Sequence, residues 1–184
     1  MPPTSPRRRP SRTALLVASE ALPFSKTGGL ADVLGSLPAA IARLGWRVTV
    51  VTPRYRDVTA GTLVERMAVA VGAHTFDVGF YEAPMADGVR GLLLDVPELY
   101  HRDALYHGDN VDYPDNARRF ALLAKAALAW TAREGERPTV VHAHDWQAGL
   151  VPVYLRTLYA DDRVLGGAPT VFTIHNLAYQ GLFE

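Results

Sequence analysis

The sequence contains no cysteine. That absence removes disulfides, thiolate zinc sites, iron–sulfur clusters and a thiol nucleophile together, and it fits a reducing compartment. Charge of one sign is lacking too: 19 lysines and arginines stand against 19 aspartates and glutamates, a formal net charge of +0 with histidine neutral. Such a balance gives no electrostatic footing to a role in binding nucleic acid or another polyanion. Long apolar runs are also missing. The longest stretch without a charged residue, 164–183, carries Pro169, Thr170, Thr173, His175, Asn176 and Gln180 and is too polar to cross lipid, so no membrane association is expected.

What is present is ordinary for a globular chain: 184 residues, 48% hydrophobic and 21% charged, enough for about one domain with a real core. The opening residues 1–12, MPPTSPRRRPSR, hold Arg7, Arg8 and Arg9 among prolines but no apolar h-region. They read as a disordered basic leader and not as a secretory signal, although the Arg/Ser bias also suits a remnant of an organelle transit peptide. Residues 13–184 are left as the folded unit.

Short apolar runs recur at 13–18, 48–52, 91–96, 139–143 and 170–174. Continuous runs of that length suit strands buried on both faces, as in a parallel sheet. Between the first two, Leu34, Leu37, Ile41 and Leu44 mark one face of a helix over 29–44 that Gly45 can stop, with Pro38 expected to kink or divide it. Residues 62–83 alternate loosely and predict the strands of an inserted hairpin. Asp115 can cap a helix running to about Glu134, with Phe120, Leu123, Ala127 and Trp130 on its apolar stripe. A further helix is expected over 146–159, with Leu150, Val153 and Leu158 on one side and a kink at Pro152. Strands alternating with helices predict a doubly wound, mostly parallel, Rossmann-like α/β domain, whose ligands bind at the carboxyl ends of the strands.

The polar residues of interest fall just after those strands. In SKTGGLAD, two glycines enter a helix whose free N–H groups and positive dipole end favour an anion, and Lys26 adds a mobile charge. Gly28 and Gly29 thus form a candidate phosphate seat, although two glycines before a helix are also simple turn chemistry, and Asp32 suits dipole compensation. In VVHAHDW, His142 and His144 share one face of a strand that ends at Asp145, a candidate N-cap for the next helix worth about 1 kcal/mol. HxHD also suits a zinc hydrolase, but a further ligand is needed and only His74, His101, His107 and His175 remain. His175 and Asn176 end an apolar strand at the expected cleft, where a polar pair is better explained by a ligand than by packing. Tyr106 opens the run YHGDNVDYPDN, with Asp109, Asn110 and Asp112, which suits sugar hydroxyls and equally a solvated loop.

Taken in order, SEALPFSKTGGLADVLGSLPAAIARLG, YPDNARRFALL, VVHAHDWQAGLVPVYL and VFTIHNLAYQGLF resemble bacterial glycogen synthase and plant starch synthase from about residue 13 to residue 184. The resemblance implies the N-terminal half of a GT-B architecture, two facing Rossmann-like domains with the active site between them and the C-terminal domain absent here. It implies transfer of glucose from ADP-glucose to the nonreducing end of an α-1,4-glucan, with retention and with no metal or other cofactor, in the cytoplasm, or in a plastid if the leader is a transit remnant. It assigns Lys26, Gly28 and Gly29 to the sugar nucleotide and Asp145 to the sugar-acceptor region. His175 and Asn176 fall beside the transferred glucose and Tyr106 near the cleft, while His142 and His144 are supporting residues. His175 and Asp145 are the candidate catalytic groups. Two other readings stay open at this point: a metal-dependent hydrolase built on HxHD, and a non-catalytic glucan-binding module.

Overall fold

The structure is a computed structural model and describes residues 12–109 and 111–183. The basic leader, apart from Arg12, and Asn110 lie outside the described residues. Five strands form the parallel core of the sheet: β1 (Thr13–Val17), β2 (Arg47–Pro53), β5 (Val89–Asp95), β8 (Val140–His144) and β9 (Thr170–Thr173). Each continuous apolar run of the sequence is one of them. The inserted hairpin is β3 (Thr62–Val71) and β4 (His74–Ala86), which extends the same sheet antiparallel to β5. The seven strands lie in the order β3-β4-β5-β2-β1-β8-β9, and between β5 and the next helix of the domain come a short helix, α2 (Pro97–Tyr100), and a separate two-stranded ribbon, β6 (His107–Gly108) and β7 (Val111–Asp112). Among the described residues no helix is long and apolar enough to cross a membrane.

The chain winds away from β1 in both directions. It passes through helix α1 (Gly29–Arg43) to β2 on one side, and through helix α3 (Asn116–Glu134) to β8 on the other. A crevice opens at the carboxyl ends of neighbouring strands where the winding reverses. Here those strands are β1 and β8.

Alternation along β1 divides the core between the two faces. Ala14 and Leu16 pack with Leu30 and Leu34 of α1, whereas Leu15 and Val17 pack with Leu122, Leu123 and Ala126 of α3. A strand buried on both faces needs an unbroken apolar run, which is why TALLV shows no polar alternation.

Several local expectations change. Pro38 does not divide α1, which runs unbroken from Gly29 to Arg43 with Pro38 buried inside it, and Leu44 is exposed beyond its end. Asp115 stands at the N-cap of α3 but makes no capping hydrogen bond, because both carboxylate oxygens take the Arg102 guanidinium at 2.7 and 2.5 Å. The expected helix over 146–159 is a 3-10 turn (Trp146–Ala148) followed by α4 (Leu150–Arg156). The turn resets the helical phase, so Val151 and Leu155 are buried while Leu150, Val153 and Leu158 face outward.

Candidate functional site

Beyond β1 the chain does not turn directly into α1. Ser19 and Glu20 remain buried at the strand's end, and Glu20 becomes the hub of the loop that follows. Its carboxylate accepts the backbone N–H of Thr27 at 2.5 Å, the N–H of Gly28 at 3.3 Å and the Thr27 hydroxyl at 2.9 Å. From the far side it also accepts Tyr106 Oη–H at 2.9 Å, while Ser19 Oγ lies 2.7 Å from the same phenol oxygen. Tyr55 Oη in turn donates to the Ser19 carbonyl at 2.7 Å. Burial pushes the Tyr106 and Tyr55 hydroxyls well above the usual tyrosine range, so both stay protonated and can donate.

The glycines that open α1 are not demanded by the fold. Gly28 is extended, at φ −146 and ψ −163, a conformation any residue adopts. A Cβ at Gly28 or Gly29 would meet no atom within 4 Å. What a side chain there would fill is the cleft itself. Glu20 already occupies the Thr27 and Gly28 amides, so the amides left to a ligand begin at Gly29 and Leu30, which start α1, have no intrahelical acceptor by geometry and line the cleft. Lys26 stands outside the cleft lining, with its ammonium 2.6 and 2.8 Å from the two oxygens of Asp32.

The second wall is built at the ends of β8 and β9. The register sets His144 opposite Thr173 and His142 opposite Val171. His142 and His144, two apart, point the same way as the sequence spacing requires, and their rings stack at 3.9 Å. His142 Nε2 meets Thr173 Oγ1 at 2.7 Å, and His144 Nδ1 meets His175 Nε2 at 2.9 Å. Burial, reinforced by the neighbouring His142 and His175, pushes His144 from 6.5 down to about 3, so its ring is neutral through the physiological range. Imidazole nitrogens turned on one another and on a threonine are not a ligand set. Among the described residues no group of three or more His, Cys, Asp or Glu side chains could hold a metal ion, and the hydrolase reading is not favoured.

Asp145 closes the site. Its side chain makes no capping bond to the turn it precedes; instead Oδ1 accepts the backbone N–H of His175 at 2.6 Å and of Asn176 at 3.5 Å. The residue pays for this clasp with φ 58 and ψ 178, a region that side chains other than glycine enter only under strain. The segment after β9 then returns over Trp146, where a Cβ at Gly181 would lie 2.4 Å from the indole.

These walls enclose an open cleft of about 1230 Å³ lined by Gly28, Gly29, Tyr106, Asp145, His175 and Asn176, six of the seven candidate site residues. Lys26 is the seventh, placed beside the cleft by its pairing with Asp32. Glu20, which ties the loop before α1 to Tyr106, went unnoticed in the sequence. Its only signal is an acid three residues past the end of a strand whose last four residues are apolar.

The fold and the cleft define a doubly wound α/β domain with a cleft of polar lining at the switch between β1 and β8. Residues 14–184 match the model of the starch synthase catalytic domain family. The chain is 48% identical over 173 residues to a glycogen synthase of Koribacter versatilis, covering 90% of this chain and 35% of that protein. It is 45% identical over 174 residues to glycogen synthase 2 of Geobacter sulfurreducens, covering 92% and 36%. Among solved structures it superposes on the catalytic domain of starch synthase IV from Arabidopsis thaliana, bound to ADP and acarbose, with a TM-score of 0.77 at 26% identity, covering 94% of this chain and 35% of that one. The chain belongs to the starch synthase catalytic domain family. It spans about a third of the length of the curated relatives it matches.

Proposed function

We propose that this chain forms one wall of the active site of a retaining GT-B hexosyltransferase, which moves glucose from ADP-glucose to the nonreducing end of an α-1,4-glucan, glycogen or a starch primer. The observation that carries the reading is the cleft: glycines that neither backbone geometry nor packing requires face histidine, asparagine and aspartate across it. Family membership supports the reaction class, and the ADP and acarbose bound to the Arabidopsis enzyme support a nucleotide and a glucan as the ligand types.

Breaking the bond between sugar and diphosphate develops positive charge on the glucosyl ring and negative charge on the leaving ADP. Fixed dipoles and charges aimed at those two centres lower the barrier. On this wall the first-turn amides of α1 and the ammonium of Lys26 serve the diphosphate. His175 and Asn176, clasped by Asp145, orient the sugar. The remaining contacts come from a facing C-terminal domain, and without it proximity is lost.

Grafting residues 13–184 into a glycogen synthase in place of its own equivalent segment tests the reading. The chimera should incorporate glucose from ADP-glucose into glycogen, while the 184-residue chain alone shows incorporation no higher than a blank. A folded chimera without activity refutes the proposal.

A further inference from the structure

His144 is fully buried, and its two ring nitrogens are in unequal positions. Nδ1 faces His175 Nε2 at 2.9 Å, whereas Nε2 is buried without a hydrogen-bond partner among the described residues. A neutral imidazole carries one proton, and a hydrogen bond between two neutral rings needs one donor and one acceptor. Two arrangements satisfy the pair. In one, His175 donates from Nε2 to a bare His144 Nδ1, which forces the His144 proton onto Nε2 and leaves a buried N–H unpaired. In the other, His144 donates from Nδ1, and its Nε2 is left as a bare lone pair. Orphaned buried N–H groups are rarer in folded proteins than under-satisfied acceptors. The stacked ring of His142 covers one face of His144, and the Nε2 of His142 is itself engaged by Thr173.

We propose that His144 is a positioning residue that holds neutral His175 in its Nδ1–H tautomer, so that His175 offers the cleft a hydrogen-bond donor at Nδ1 and no basic nitrogen. The Nε2 lone pair of His175 is consumed by His144, and its ring lies in an exposed segment that lines the cleft. The favoured partner is therefore an oxygen with a free lone pair. That this oxygen is a sugar hydroxyl rests on the glucosyl-transfer reading; the tautomer does not. The arrangement is also contrary to intrinsic preference, because an unconstrained neutral histidine side chain carries its proton mainly on Nε2.

The experiment is a long-range 1H–15N spectrum of the 184-residue chain labelled at the histidine ring nitrogens, recorded at mildly alkaline pH. His175 and His144 should both show a protonated Nδ1 and a bare Nε2. His144→Asn keeps an N–H donor near the Nδ1 position and should preserve the His175 pattern. His144→Phe removes it and should return His175 to the Nε2–H form. A protonated Nε2 on His175 in the unaltered chain overturns the proposal whether or not either variant folds, and so does an unchanged His175 in a folded His144→Phe protein. Because the spectrum needs no substrate, an inactive chimera with the Nδ1–H pattern intact would refute the transfer reading alone.

Discussion

Lys26, in the loop before α1, and Asp32, in the first turn of that helix, form a two-pronged ion pair, with Nζ 2.6 and 2.8 Å from the two carboxylate oxygens. Both side chains are about half exposed, so the pair contributes between about 0 and 1 kcal/mol to stability. A pair that weak is easily exchanged for a stronger partner, and a diphosphate is one.

Lys26→Ala therefore separates binding from folding. In an active chimera it should lower kcat/KM for ADP-glucose about 10- to 150-fold, the loss of a charge-assisted hydrogen bond of roughly 1.5–3 kcal/mol. Part of the loss should fall on kcat, because charge grows on the diphosphate as the bond breaks. The melting temperature should barely move. Steady-state kinetics beside a thermal melt checks both; parent-like kinetics removes Lys26 from the site.

Glu20 behaves in the opposite way. Its carboxylate accepts three donors from Thr27 and Gly28 and a fourth from Tyr106. Glu20→Gln replaces one acceptor oxygen by an NH2 that faces other donors, and should cost about 1–3 kcal/mol. Urea denaturation should show a lower midpoint at unchanged m. An unchanged midpoint would show that the loop holds without it.

Acid acts through His144. Burial, with His142 and His175 adding to it, lowers its pKa from 6.5 to about 3. The unfolded chain thus binds a proton near pH 6.5 that the folded chain refuses until about pH 3, and stability present above pH 6.5 drains away as the pH falls. The slope from this residue reaches about 1.4 kcal/mol per pH unit, and His142, also lowered by burial, adds to it with the same sign. Urea midpoints followed from neutral to about pH 5 should fall more steeply in the unaltered chain than in His144→Asn. Parallel curves would show that His144 titrates normally.

One edge of the sheet bears on behaviour in solution. Among the described residues β9 pairs only with β8, and its Val171 and Phe172, with Ile174 beyond it, are each more than 40% exposed. An apolar edge of that kind pairs with other chains. Size-exclusion chromatography with light scattering should show the 184-residue chain associating as its concentration rises, and Val171→Lys should reduce the effect. A monomer at every concentration contradicts this.

Much of this architecture is legible in the sequence because it is local. The five parallel strands announce themselves as unbroken apolar runs, and the stripe Phe120, Leu123, Ala127 and Trp130 fixes the buried face of α3. Six of the seven candidate residues reach one cleft because a doubly wound sheet delivers whatever follows its strands to the same edge. What escapes is non-local. Glu20 draws meaning from Tyr106, 86 residues away, and Asp115 is diverted from its helix by Arg102. Arg119 looks like a solvent residue of α3, yet it is fully buried, bonded to the Leu99 carbonyl and to Asn116 beneath the Tyr106 wall. The phase of α4 depends on a three-residue turn that no periodicity forecasts.

The backbone at Asp145 carries a consequence of another kind. At φ 58 and ψ 178 it stores strain of about 1–3 kcal/mol, which glycine alone would relieve. Glycine here would release that strain and also lose the carboxylate that gathers in the amides of His175 and Asn176, so its two effects on folding oppose each other. On the cleft its effect has a single sign: the segment that carries His175 and Asn176 loses its tether.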